Sequence, residues 1–221
     1  MNAGLIFNNM KDKIKIDIVS DVVCPWCTVG YKRLEQAISE LDIHDKVEIE
    51  WQPFELNPTM PADGQNLKEH MMEKYRMSSE QLEQTQQQMT DAAADVNFDF
   101  NFTDTTLMVN TFEAHILLEY AIGFGKQTDL KMELMKAYFS DGKDVSDRKI
   151  LKQALLDVGL NADEALSKLD DEEAIKEIKV KQNYWKNLGV NSVPTFVFNK
   201  EKGLTGAHPI STLKNVMSEL L

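Results

Sequence analysis

Cys24 and Cys27 are the two cysteines of the 221-residue chain, set as Cys24-Pro25-Trp26-Cys27. Two thiols at this spacing can close a local disulfide and open it again by exchange with another thiol. Two cysteines cannot make a disulfide framework or a four-thiolate zinc site. Where such a pair opens a helix, backbone amides at the helix N-terminus favour negative charge on the first sulfur. That would lower the Cys24 thiol pKa and make Cys24 the nucleophile. Cys27, one turn further in, is then the resolving thiol, which releases a mixed disulfide by intramolecular attack. Pro25 suits a first helical turn, where no amide hydrogen is needed. Trp26 is expected to be partly exposed, because the nucleophile must be reachable, and it could stack on substrate. The plainer readings are an inert buried pair or half of a metal site.

The flanking sequence favours redox chemistry. Ile14, Ile16 and Ile18 alternate with Lys15 and Asp17, the pattern of a half-buried strand. Leu34, Ala37, Ile38 and Leu41 recur at helical spacing after the cysteines, and Val47, Ile49 and Trp51 alternate again. Strand, helix and strand so close together define a βαβ unit with parallel strands and a right-handed crossover. Residues 1–13 read as an irregular lead-in. From about 66 to 188 the sequence predicts helices and no strand. Ser78 and Gln81 form a candidate capping box opening a helix to about Asp95. Further helices are expected from about Thr106 to Ile122, Leu130 to Phe139, Asp147 to Val158 and Asp171 to Leu188. Glycine follows each of the four within three residues, as it often does at a helix end. Thr195–Phe198 and Leu204–Gly206 predict an antiparallel hairpin, and a last helix begins near Pro209.

With 24 basic and 36 acidic residues the net charge is −12, and 43% of residues are hydrophobic. This is globular composition without the basic footprint of a nucleic-acid binder or of a protein that docks on anionic lipid. The first residues lack the features of a secretory signal, and no stretch approaches the ~20 apolar residues of a membrane span. A cytoplasmic protein is the resulting expectation. The four histidines, His44, His70, His115 and His208, have no metal-binding spacing. His115, beside Ile116 and Leu117, reads as a core histidine. Met71, Met72, Met77 and Met89 could line an adaptable apolar groove, with core packing the favoured reading. Trp51 and Trp185 read as core, and Asp170 to Glu173 as an acidic helix start.

These features resemble the DsbA-like thioredoxin-fold family, and more closely its FrnE branch. The matching stretches are Ser20-Asp21-Val22-Val23-Cys24-Pro25-Trp26-Cys27, Pro53-Phe54-Glu55-Leu56-Asn57-Pro58, Asn110-Thr111 with Ala114-His115, Ala137-Tyr138-Phe139, and Gly189-Val190 leading to Ser192-Val193-Pro194. The resemblance implies an α/β thioredoxin fold, β-α-β then β-β-α around a central mixed sheet, carrying a large all-helical insertion. It places the thioredoxin-fold part at 14–62 and 189–221 and the insertion at 63–170, with helix 171–188 packing on the former or bridging to it. It further implies a cis Val193–Pro194 bond facing the redox turn. A proline there has no amide hydrogen to compete near the thiolate, and the Val193 backbone could pair with an extended substrate. A proline that merely starts a strand is the simpler reading.

The chain also departs from the pattern. Ile18 stands where many relatives have a buried acid, and neighbouring Asp17 should face away from it. Thr28 replaces a common aromatic, and His208 stands where the branch usually has glutamine. His208 lies at the active-site end of the fold and is a candidate contact for substrate or a small thiol. The leading expectation is a thiol–disulfide oxidoreductase of reductase or isomerase type. It needs no metal or bound cofactor beyond the Cys24–Cys27 disulfide, with glutathione a candidate co-substrate. Its partners would be thiol- or disulfide-containing proteins or small thiols, without nucleic acid or membrane, and monomer and homodimer both stay open. A glutathione-dependent isomerase or transferase of the 2-hydroxychromene-2-carboxylate isomerase or kappa type is the first alternative. Those relatives place serine at the Cys24 position. A redox-switched peptide-binding chaperone is the second alternative.

Overall fold

The computed structural model describes residues 13–221, so most of the lead-in expected over 1–13 lies outside the described residues. Strand β1 (Ile14–Ser20) runs parallel to β2 (Val47–Pro53), and helix α1 (Pro25–Leu41) crosses between them. Strand β5 (Thr195–Phe198) pairs antiparallel with β1, and β6 (Lys202–Thr205) pairs antiparallel with β5. The sheet order is β2-β1-β5-β6. Helix α9 (Ile210–Ser218) packs against α1.

Strand alternation divides β1 between two faces. Ile14, Ile16 and Ile18 join the main core with α1 and α9 residues. Val19 packs with Phe54 and Trp185, and Trp51 is also buried. Asp17 shares the Val19 face: its Oδ1 accepts from Gln52 Nε2 at 2.7 Å, and Trp185 Nε1 donates to Gln52 Oε1 at 3.1 Å. Asp17 therefore faces away from Ile18, as alternation requires.

Between β2 and β5 lie α2 (Leu67–Tyr75), α3 (Ser79–Ala94), α4 (Phe112–Ile122), α5 (Gln127–Phe139), α6 (Arg148–Asp157), α7 (Ala162–Ser167) and α8 (Glu172–Asn187). The Ser78–Gln81 capping box is formed in both directions. Asp171 caps α8, accepting from Glu173 N at 3.0 Å. Helix α5 closes the open edge of β2. Gln127 Oε1 accepts from Trp51 N, and Gln127 Nε2 donates to Trp51 O, both at 2.8 Å. One side chain thus satisfies backbone groups that would otherwise invite edge pairing.

Three local expectations need correction. The helical stretch does contain strand: β3 (Gln65–Asn66) pairs antiparallel with β4 (Leu107–Met108). Helix α4 consequently starts at Phe112 and not near Thr106, with Asn110 Oδ1 accepting from Phe112 N at 2.9 Å just before it. Helix α7 was not expected, because six residues are too short to show a period; Asn161 caps it by accepting from Glu164 N.

Candidate active site

The chain leaves β1 at Ser20 and turns through Asp21–Val23. Cys24 is the N-cap of α1 with extended backbone, and Pro25 occupies the first turn. The helical turn beginning at Cys24 (Cys27 N to Cys24 O, 3.1 Å) brings the two cysteines to 3.0 Å of each other. Both are buried free thiols. Trp26 between them is 36% exposed, as reachability of the site requires.

Opposite the helix terminus stands the segment before β5. The Val193–Pro194 peptide is cis, and Cys24 Sγ lies 3.8 Å from Val193 O. Close approach of α1 here depends on Gly30: a Cβ at that position would come 3.2 Å from Pro194 Cγ and 3.1 Å from Phe196 Cζ. A side chain there is tighter than an ordinary contact, so Pro194, Phe196 or α1 must shift by a few tenths of an ångström to admit it.

Next to Cys24 opens a groove of about 330 Å³, lined by Val23, Pro25, Trp26, Leu56 and Val193 on one side. Met71, Met77, Leu82, Met89, Phe102 and Phe139 line the other. Both readings of the methionines hold in part: Met89 belongs to the main core and Met71 packs against it. Met71, Met77 and Met89 line the groove, while Met72 is exposed. The cause is tertiary: α2 and α3 fold against each other over the cysteine turn, which helical periodicity cannot show. His70 also reaches this groove, with Nδ1 2.8 Å from Gln65 Oε1. His208 does not. Its Nε2 lies 2.9 Å from Thr205 O, so it donates to that carbonyl, and His208 is not among the groove residues.

Behind the cysteines lies a buried ionisable cluster. Asp21 Oδ2 accepts from Leu56 N at 2.8 Å, while Oδ1 sits 3.5 Å from His115 Nε2. His115 is buried, as expected of a core histidine, and its Nε2 lies 3.0 Å from Phe54 O; a carbonyl only accepts, so Nε2 carries hydrogen. Burial pushes the Asp21 carboxyl up, but His115, the Leu56 amide and the charge of Lys131 together hold it below its ordinary value.

The electrostatics overturn one expectation. Burial, then the proximity of Cys27, push the Cys24 thiol up rather than down. Burial also opposes ionisation of Cys27, yet hydrogen bonds from Cys24 and Ser20 and the charge of Lys131 bring its thiol below the ordinary value. The helix N-terminus favours charge at Cys24, but at 4% exposure the lost hydration outweighs it. The two sulfurs lose their first proton as a unit.

The sequence marks Asp21 only as part of the matching stretch around the cysteines, and Lys131 only by its place on the stripe of Gln127, Leu130, Leu134, Met135 and Tyr138 that α5 buries. A lysine on an apolar stripe merits a functional question. Among the described residues no three His, Cys, Asp or Glu side chains are grouped to hold a metal ion, and no helix is long and apolar enough to cross a membrane.

A β-α-β, β-β-α sheet with a cysteine pair at the first helix N-terminus defines a thioredoxin-fold thiol–disulfide oxidoreductase. Residues 15–218 match the DSBA-like thioredoxin domain, and the chain belongs to that family. It is 26% identical over 186 residues to the uncharacterised protein YwbO of Bacillus subtilis (strain 168), covering 83% of this chain and 86% of that protein. Its fold is similar to the crystal structure of the probable DsbA oxidoreductase SCO1869 from Streptomyces coelicolor, with TM-score 0.87 and 29% identity over 93% of this chain and 89% of that one. The cytosolic disulfide reductase DsbM from Pseudomonas aeruginosa, solved with GSH, shares the fold at TM-score 0.64 and 15% identity, over 93% and 98% of the two chains.

Proposed function

We propose that this oxidoreductase reduces or rearranges disulfides in the cytoplasm, with Cys24 as nucleophile and Cys27 as resolving thiol. The observation that carries the reading is the close dithiol at the α1 N-terminus, opening onto an apolar groove beside the Val193 carbonyl. Once the pair has lost its first proton, holding the remaining proton on Cys27 leaves the thiolate on Cys24, which attacks a substrate disulfide and expels one thiolate. Cys27 then gives up its proton, attacks Cys24 Sγ, and frees the second substrate sulfur with its electron pair. The substrate gains two electrons and the Cys24–Cys27 pair forms a disulfide. The name of the fold neighbour DsbM supports the same direction and compartment. The Pro53–Pro58 stretch supports the FrnE branch within the family.

The groove indicates the substrate. Its methionine and phenylalanine walls suit a peptide or small thiol with an apolar group next to its sulfur. Reduced protein mixed with a disulfide peptide carrying leucine or phenylalanine beside cysteine should react about tenfold faster than with glutathione disulfide, the equivalent of one apolar contact. Met71→Glu should collapse that ratio toward one. Stopped-flow fluorescence checks both, and equal rates for the two disulfides in the unmodified protein would contradict the substrate class.

A further inference from the structure

Lys131 is fully buried, its side chain reaching inward from α5, and its Nζ makes no hydrogen bond. Its nearest aromatic contact is the Trp51 ring, 5.1 Å from Nζ to centroid. Placing an ammonium here is costly, and burial brings its pKa down to about 8, against the pull of Cys27, Asp21 and Cys24. No hydrogen bond repays the cost. An ordinary core residue of similar length, such as methionine, would fill the space without it. What the lysine supplies is positive charge within Coulombic reach of both sulfurs and of Asp21.

The surrounding groups are few. The charges of Asp21, Cys24 and Cys27 on the β1–α1 turn act on Lys131, and His115, which lines the same small cavity as Lys131, has its Nε2 3.5 Å from Asp21 Oδ1. Trp51 and Gln52 of β2 and His115 and Glu119 of α4 line a small cavity of about 10 Å³ with it, together with Gln127 of α5. That is about the space one water needs. Glu119 is itself ion-paired to Lys181, so the anion nearest the sulfurs is Asp21, whose Oδ1 makes no hydrogen bond. Asp21 opposes a thiolate and Lys131 favours one.

We propose that Lys131 is the buried counter-charge of the Cys27 thiolate, a positioning residue that lets the resolving step run near neutral pH. The inference rests on the dithiol function proposed above. After Cys24 has attacked, the mixed disulfide leaves Cys27 as a fully buried thiol. Its proton must pass to solvent before it can attack, and the anion left behind is wholly buried. The Lys131 ammonium stabilises that anion. Cys27 Sγ then bonds to Cys24 Sγ, the bond from Cys24 to the substrate sulfur breaks, and the departing thiolate takes a proton from solvent. The lysine remains protonated throughout and exchanges no electrons.

The test is thiolate absorbance of the reduced protein against pH, with single-turnover resolution of a mixed disulfide formed from a model disulfide peptide. Lys131→Met should raise the midpoint of the first thiolate titration by about one pH unit or more, the usual effect of losing an opposite charge. At pH 7 the mixed disulfide on Cys24 should then resolve about tenfold more slowly, recovering as pH rises. Asp21→Asn should move the midpoint the other way, downward, an opposition of sign that loss of packing would not produce. A folded Lys131→Met protein with unchanged midpoint and resolution rate overturns the inference. If that variant does not fold, Lys131→Gln, which keeps most of the length and the polarity without the charge, decides: a raised midpoint supports the counter-charge arrangement and an unchanged one overturns it. Should the unmodified protein form no mixed disulfide, the proposed function fails. Normal formation and resolution in Lys131→Met removes the role of the lysine alone.

Discussion

Cys24→Ser is expected to abolish disulfide exchange, with a loss on the order of a thousandfold or more, the scale of removing a nucleophile. Serine keeps the N-cap geometry and the volume but cannot form a thiolate. Cys27→Ser should behave differently. Cys24 can still attack, but the resolving sulfur is gone, so the mixed disulfide accumulates. Non-reducing mass spectrometry after mixing with a disulfide peptide separates the cases: an adduct on Cys24 in Cys27→Ser, and none in Cys24→Ser. An adduct on Cys27 instead would reverse the two roles. The asymmetry follows from access, because Cys24 borders the groove while Cys27 is wholly enclosed.

The largest effect on stability should come from Phe196→Ala. Phe196 is fully buried on β5, between Ile18 of β1 and Leu204 of β6, under the Gly30 backbone of α1. Truncating an aromatic ring in such a site costs about 3–5 kcal/mol, from lost burial and the cavity left behind. A domain of this kind has roughly 5–15 kcal/mol in total, so the variant should lose a large share and melt on the order of 10 °C lower. Chemical denaturation checks this, with an unchanged m-value expected. A loss below about 1 kcal/mol would mean that α1 closes into the space, and with it that the spacing between Cys24 and Val193 is not fixed by this packing.

Much of this architecture is legible in the sequence where physics is local. The isoleucine alternation of β1, the hairpin at Thr195 and the glycines at 142, 159 and 189, all at positive φ, mark their elements directly. Cys24 and Cys27 are legible for the same reason: one helical turn joins them. What stays hidden depends on contacts distant in sequence. Leu107 and Met108 form β4 only because Gln65 and Asn66 meet them. Lys131 and Asp21 come together only through the packing of α5 against the cysteine turn. The direction of the Cys24 pKa shift is hidden as well, because the helix terminus is visible in sequence while the depth of burial is not. The resemblance to a known family supplied the insertion and the segment around Pro194, but not the methionine-walled groove, which arises from the particular side chains of α2 and α3.

The most direct test of the central claim is a redox titration of the protein in glutathione and dithiol buffers. It would follow the fluorescence of Trp26, the tryptophan between the two sulfurs. The account predicts one reversible two-electron transition, about 30 mV per tenfold change in the oxidised-to-reduced ratio, that disappears in Cys24→Ser. Its midpoint should lie nearer the roughly −270 mV of thioredoxin than the roughly −120 mV of a strong oxidant. A transition near the latter value would make the protein an oxidase. No transition, or one that persists without Cys24, would contradict a Cys24–Cys27 redox centre altogether.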